Sequence, residues 1–208
     1  MAQRFEKSTG NKQKIFDRCA PEWDAEEVGK KEAIRALVKA LGLKAGDTVI
    51  EPGCGTGVIS KFILEEIGEN GRLYGLDISK RMLEQAEAKG LPSRALFYHA
   101  DAANMPLPAG CADAVVCVRV FPHIDDQHSA LSEFNRVLKS GGRLIIAHLA
   151  GREKLNRYHA EVGGEVAEDM IPDEDEMRTL LESYGFELIS LEDREERYLL
   201  CARKKEQP

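Results

Sequence analysis

The chain has 208 residues, 43% of them hydrophobic and 31% charged, which is about one globular domain in length and excludes a disordered segment in composition. Its 29 Lys and Arg stand against 36 Asp and Glu, a formal charge of −7; gripping a phosphate backbone relies on clustered cations, so nucleic acid is not expected as the main partner. The five cysteines (Cys19, Cys54, Cys111, Cys117, Cys201) form no CxxC pair, which removes zinc-finger spacing and leaves reduced thiols in a cytoplasm as the simple expectation.

In chain order, the polar start MAQRFEKSTG lacks the apolar core of a secretory signal. No apolar run approaches the ~18–20 residues that cross a bilayer, so a cytoplasmic chain without a membrane span, monomer or homodimer, is expected. Over residues 26–41, Ala33, Ile34, Leu37, Val38 and Leu41 fall at helical spacing, and Gly42 ends that helix. Residues 48–50 read as a buried strand, followed by a glycine cluster and a helix carrying Ile59, Phe62, Ile63 and Ile67. Residues 72–76 form the next strand, and Ser79 can cap the helix of Met82, Leu83 and Ala86, which stops near Pro92.

Strands follow at 95–98 and at 114–118, the latter rich in β-branched residues like a buried parallel strand. Asp125 or Asp126 opens a helix with Ala130, Leu131, Phe134, Val137 and Leu138 on one face; Gly141 and Gly142 end it before a fifth strand at 143–148. After an irregular helical stretch, Pro172 and Asp173 start a helix bearing Met177, Leu180 and Leu181. Strands at 186–191 and 198–202 close the chain, and only a charged turn separates them, so they are antiparallel. The alternation predicts an α/β doubly wound sheet of seven strands, mostly parallel with a C-terminal antiparallel hairpin. Residues 1–208 read as one domain: 1–30 an N-terminal segment, 31–150 the core, and 151–208 a further segment with the hairpin.

The run Glu51-Pro52-Gly53-Cys54-Gly55-Thr56-Gly57 follows a strand and opens a helix, where glycines let a ligand approach the backbone. Such a loop alone is a weak signal. Asp77, at the end of the next strand, can take both hydroxyls of a ribose, and Asp101 adds an acid at the same carboxyl edge. A dinucleotide fingerprint wants GxGxxG, whereas here the third glycine comes one residue early. Glu51 would repel a pyrophosphate but suits an ammonium or sulfonium. That favours S-adenosylmethionine over NAD.

Residues 49–57 resemble the first motif of class I S-adenosylmethionine-dependent methyltransferases, and Gly75-Leu76-Asp77-Ile78-Ser79 the second. His99-Ala100-Asp101-Ala102, residues 113–124 and the run Arg136-Val137-Leu138-Lys139-Ser140-Gly141-Gly142 continue the match in order. The resemblance is strongest over residues 30–150 and implies a Rossmann-like fold. Within the class, the chain is most similar to the small-molecule group that includes the ubiquinone/menaquinone-biosynthesis C-methyltransferases, and residues 15–24 resemble their N-terminal lid. Carried over, the resemblance puts Gly53, Gly55 and Gly57 at the methionine part of the cofactor, with Glu51 near its ammonium. Asp77 would hold the ribose hydroxyls, Ile78 the adenine face, Asp101 the exocyclic amine and Ala102 the ring edge. Met82 is either a further contact or plain core, and the carbonyl of Cys117 or Val118 would face the ammonium. The product would be S-adenosylhomocysteine.

For the acceptor, His123 and His148 follow the fourth and fifth strands, so either can act as base or orient a substrate, or be a hydrogen-bonded strand-end residue. Arg119 either pairs with an anion of cofactor or substrate or forms a surface salt bridge. In a helix, Arg152, Asn156 and His159 share one face. That face can read an anionic or carbonyl-bearing substrate, join a metal site of His148, His159 and Glu161 or Glu165, or simply be solvated; no metal is assigned. Trp23 either shields a sulfonium or packs the lid, and Phe121 shapes the pocket wall. His99 is expected to be structural, His128 a surface residue, and the acidic run 165–176 a solvated face. The resulting expectation is methyl transfer to a small-molecule substrate, with a protein or RNA methyltransferase, or a non-catalytic cofactor-binding module, as alternatives.

Overall fold

The structure is a computed structural model that describes the backbone of residues 2–206 and the side chains of residues 12–25 and 29–206. Its centre is a seven-stranded sheet in the order β3-β2-β1-β4-β5-β7-β6. Strands β1 (Thr48–Pro52), β2 (Arg72–Asp77), β3 (Ala95–His99), β4 (Ala112–Val118) and β5 (Leu138–His148) run parallel. Strands β6 (Phe186–Arg194) and β7 (Arg197–Lys204) form the antiparallel hairpin, with β7 inserted beside β5. The strand order reverses between β1 and β4, and in open α/β sheets ligands bind at the carboxyl ends of the strands at that switch point.

Side chains alternate across each strand, and this sorts the core into two layers. Ile50, Val115 and Cys117 face one side and pack with Leu131 and Phe134 of α5 (Gln127–Val137) and with Met177 and Leu181 of α7 (Glu174–Ser183). Val49, Ala114 and Val116 face the other, under Ile34 and Leu37 of α2 (Lys31–Ala40) and Ile63 and Ile67 of α3 (Val58–Ile67). Such apolar side chains each contribute about 1.5–3 kcal/mol when fully buried.

Local chemistry starts the helices where expected. Ser79 caps α4 (Lys80–Ala88), its hydroxyl accepting from Met82 N at 3.1 Å. Asp126, rather than Asp125, caps α5 through Ser129 N at 2.9 Å. Asp173 and Glu176 form a reciprocal capping box at α7.

Two expectations are corrected. Residues 26–41 are not one helix: Glu27 ends the long helix α1 (Ala2–Glu27), a 3-10 turn at Val28–Lys30 intervenes, and α2 begins at Lys31. Gly141 and Gly142 do not end α5 either. The helix stops at Val137, and Leu138 already pairs with Ala112, so the glycines bend β5 between that pairing and Arg143 opposite Ala114. In the hairpin, both strands run longer than their apolar cores.

Candidate functional site

The loop after β1 holds Gly53, Gly55 and Gly57 at φ of +65°, +55° and +77°, a region unfavourable to other residues. At Gly53 space forbids a side chain as well, because a Cβ would lie 2.2 Å from Val120 Cγ2. Gly57 instead lets α3 and α4 close together, since a Cβ there would press on Ala86 of α4 at 3.2 Å.

Asp77 ties this loop to β2. One carboxylate oxygen accepts from Gly55 N at 2.8 Å and the other from Ser79 N at 2.8 Å. Burial raises its pKa above the ordinary value, against the lowering effect of those two bonds. Each oxygen retains a second lone-pair direction, which suits a diol.

Above the loop lies a partly open pocket with a cavity volume of about 90 Å³. Asp77, Ile78, Met82, Asp101 and Ala102 line one end, together with Gly53 and Gly55. Met82 is both contact and core, being almost fully buried. Asp101 accepts from Ala103 N at 2.9 Å, which orients its carboxylate. A smaller cavity on the other side of the loop is lined by Val118, Arg119, Thr56 and Trp23.

Helix α1 lies over the site. Asp17 accepts from Ser79 Oγ at 2.7 Å, Asp24 from Thr56 Oγ1 and Lys89 Nζ at 2.5 Å each, and Ala20 O from Gln85 at 2.7 Å. Trp23 packs edge-on to Phe16 at 6.3 Å, and the Arg119 guanidinium sits 6.0 Å from its ring. Arg119 is the non-glycine residue with positive φ, +61°, among the described residues. That places it in a sparsely populated region at the mouth of the site.

Several sequence-selected residues lie elsewhere. Glu51 sits beneath the loop, outside the pocket lining, taking a 2.5 Å hydrogen bond from Ser60 Oγ, and burial raises its pKa to about 8. Phe121 is a fully buried core residue, because the 3-10 turn at Phe121–His123 points it inward; the Cys117 side chain is core too, the expectation there being for its carbonyl. His148 is buried outside the pocket lining; burial lowers its pKa to about 3, which makes it a poor base. Arg152, at the start of α6 (Arg152–Val162), pairs with Asp193 at 3.6 Å away from the pocket. Asn156 makes two 2.9 Å bonds to the backbone of Ile171. His99 bonds Ile78 O, and His128 bonds Tyr184 on the surface.

His159 faces inward, its Nδ1 against the carbonyl of Asp169 and its ring 4.9 Å from that of His123. The metal alternative does not assemble: Glu161 and Glu165 are exposed while His148 and His159 are buried, and no group of three ligating residues occurs among the described residues. The acidic run is not all solvated, since Asp169 is buried and paired with both His123 and Lys12. Sequence reasoning missed Lys12, Asp125 and Asp169; their partners lie 46 to 157 residues away, so no local pattern marks them. Phe16 and Ile124, also in the lining, fell inside matched motifs.

A sheet of this order, with a glycine loop after β1 and an acid after β2, defines a class I, Rossmann-like S-adenosylmethionine-dependent methyltransferase. The family described as "Methyltransferase domain" matches residues 50–146. An uncharacterized methyltransferase of Geobacillus thermodenitrificans is 30% identical over 149 residues, 67% of each chain. The ubiquinone/menaquinone biosynthesis C-methyltransferase UbiE of Escherichia coli is 26% identical over 181 residues, 74% of this chain and 72% of that one. A match to an uncharacterized 37.1 kDa transposon protein of Streptomyces fradiae, 29% identical, covers 64% of this chain and spans only 41% of that longer protein. Among solved structures, the methyltransferase in complex with the Haloferax volcanii Trm112 activator aligns with a TM-score of 0.75 at 20% identity, covering 92% of this chain and 98% of that one. The chain belongs to the methyltransferase family, and its cofactor is S-adenosylmethionine. The residues fit that group: Gly53 and Gly55 border the pocket together with the Asp77 carboxylate, which accepts from Gly55 N at 2.8 Å.

Proposed function

We propose that the protein transfers the methyl group of S-adenosylmethionine to a small-molecule acceptor. The observation that carries this reading is the pocket beneath α1. Beyond its nucleoside end it continues between Phe16, Trp23, His123 and Ile124, a largely apolar space covered by a helix fastened to the loop by Asp24 and to α4 by Asp17. A protein or RNA substrate needs a more open approach, and the formal charge of −7 adds nothing for RNA. The similarity to UbiE points the same way. Quinone methylation itself is not assigned, because the segment after Cys117 departs from those enzymes.

When bound, the cofactor supplies an electrophilic methyl on a sulfonium. The chain's own residues bind and orient: Asp77 takes the ribose hydroxyls, Ile78 and Met82 flank the adenine, and Asp101 and Ala102 meet its edge. Gly53, Gly55 and the Val118 carbonyl border the methionine part, with Glu51 behind them. Trp23 and Arg119 close the mouth. Holding nucleophile, methyl and sulfur in line is worth up to about 7–11 kcal/mol. The five free cysteines support a reducing, cytoplasmic setting.

Calorimetry with S-adenosylhomocysteine tests the cofactor site: wild type binds and Asp77→Ala does not. Turnover to S-adenosylhomocysteine is then compared across small molecules, bulk protein and tRNA. Turnover with small molecules is expected. Turnover only with protein or tRNA refutes the acceptor class, and binding with no turnover on any of them identifies a non-catalytic module.

A further inference from the structure

At the acceptor end of the pocket, Lys12 of α1 is buried and its ammonium meets three oxygens. These are Asp169 Oδ1 at 2.7 Å, Asp125 Oδ1 at 2.9 Å and the carbonyl of His123 at 3.1 Å. The second oxygen of Asp169 lies 2.6 Å from Nδ1 of His123, which lines the pocket next to Phe16 and Ile124. One lysine therefore serves two carboxylates, and with a neutral His123 the group carries one excess negative charge.

Asp169 decides what His123 can be. Burial works to raise the Asp169 carboxyl, but hydrogen bonds from His123 and Lys12 outweigh it and hold its pKa below the ordinary range. An ionised carboxylate only accepts, so Nδ1 of His123 must donate, and the lone pair of the neutral ring falls on Nε2. The other groups facing His123 are Arg119 at the end of β4, His148 of β5 and His159 of α6. Both of these histidines have lowered pKa values, with burial the main cause, so neither competes for the proton.

We propose that His123 Nε2 takes the proton of the methyl acceptor, with Asp169 as its positioning residue and Lys12 linking that arrangement to the seating of α1. This rests on the methyltransferase reading above and deepens it to a substrate class: an apolar small molecule whose nucleophilic atom carries a proton near neutral pH, such as a thiol or a phenol. The acceptor atom bonds to the methyl carbon as its proton passes to Nε2. The pair of the broken methyl–sulfur bond stays on sulfur as a neutral thioether, and His123 returns the proton to solvent.

Two measurements test this. The first needs no variant or acceptor: nitrogen-15 NMR of the free protein at about pH 8.5, where imidazole is neutral, is expected to show His123 protonated on Nδ1. That preference is expected to weaken in Asp169→Asn. An Nε2–H tautomer in the wild type overturns the proposal. The second follows phenylmethanethiol and 2-naphthol as acceptors, both protonated near neutral pH. His123→Asn should lose about 10²–10⁴-fold in kcat with S-adenosylhomocysteine affinity unchanged, and Asp169→Asn should lower kcat without moving KM. Retained turnover in His123→Asn refutes the base, and turnover of neither acceptor by the wild type refutes the substrate class. Failure of the wild type to bind S-adenosylhomocysteine refutes the underlying methyltransferase reading instead.

Discussion

Replacing Gly53 with alanine tests the loop geometry directly. Two costs arise from the structure. Alanine at φ +65° enters the left-handed region, at about 1–2 kcal/mol. Its Cβ also meets Val120 at 2.2 Å (Cγ2), 2.8 Å (Cβ) and 3.3 Å (Cγ1). Rotating the valine moves the two methyls but not its Cβ, so backbone must shift, and overpacking of this kind costs about 1–3 kcal/mol. The sum is about 2–5 kcal/mol, and at about 2–4 °C per kcal/mol for a chain of this length the Tm falls by about 4–20 °C.

The companion variant Val120→Gly deletes all three crowding atoms. Urea unfolding of wild type, both single variants and the double variant closes a thermodynamic cycle. The double variant should recover the steric cost and keep the φ cost, giving a coupling of about 1–3 kcal/mol. Gly53 also lines the pocket, so Gly53→Ala should weaken S-adenosylhomocysteine binding. A coupling near zero, or a Tm unchanged in Gly53→Ala, refutes the close approach of this loop to Val120.

Two further predictions concern buried polar groups. Burial raises Glu51 to a pKa of about 8, opposed by the Ser60 bond and assisted by the Asp77 charge, so the folded chain holds a proton that the unfolded chain loses near its ordinary value of 4.5. Stability therefore falls as pH rises between those two values, by on the order of 5 kcal/mol in all, and levels off above the higher one. Urea midpoints against pH should show this slope in wild type and not in Glu51→Gln, and equal slopes refute it. Among the described residues, the buried Tyr198 hydroxyl has no hydrogen-bond partner. Tyr198→Phe should therefore be neutral or stabilising, by up to about 1–3 kcal/mol; a destabilised protein in thermal melts contradicts that.

The sheet and the geometry of the glycine loop beside Asp77 were legible in the sequence because both rest on local chemistry. Alternation of apolar residues and the caps at Ser79 and Asp173 act within a few residues, and the glycine loop with Asp77 forms one strand–loop–helix unit plus its neighbour. Where local signals failed, the reason is visible. Gly141 and Gly142 carry the same glycine signal whether they end a helix or bend a strand; the pairing of Leu138 with Ala112 decides it. The face shared by Arg152, Asn156 and His159 is real as helix geometry, but packing sends the three side chains to an acid, a backbone and the interior.

By itself, then, the sequence determined the order of the elements, the α/β class and the glycine loop with Asp77 at the carboxyl edge, since each depends on short-range periodicity and turn chemistry. The tertiary structure alone decided which side chains gather at the far end of the pocket. Lys12, His123 and Asp169 meet only when α1 and the segment after α6 converge on the end of β4. Packing withdrew Asp169 from the solvated acidic run, where hydrogen bonds from His123 and Lys12 hold its pKa down against burial, and left His148 and Glu51 beneath a site in which their sequence positions had placed them. Desolvation and long-range contact are properties of the packed chain, and no window of residues encodes them.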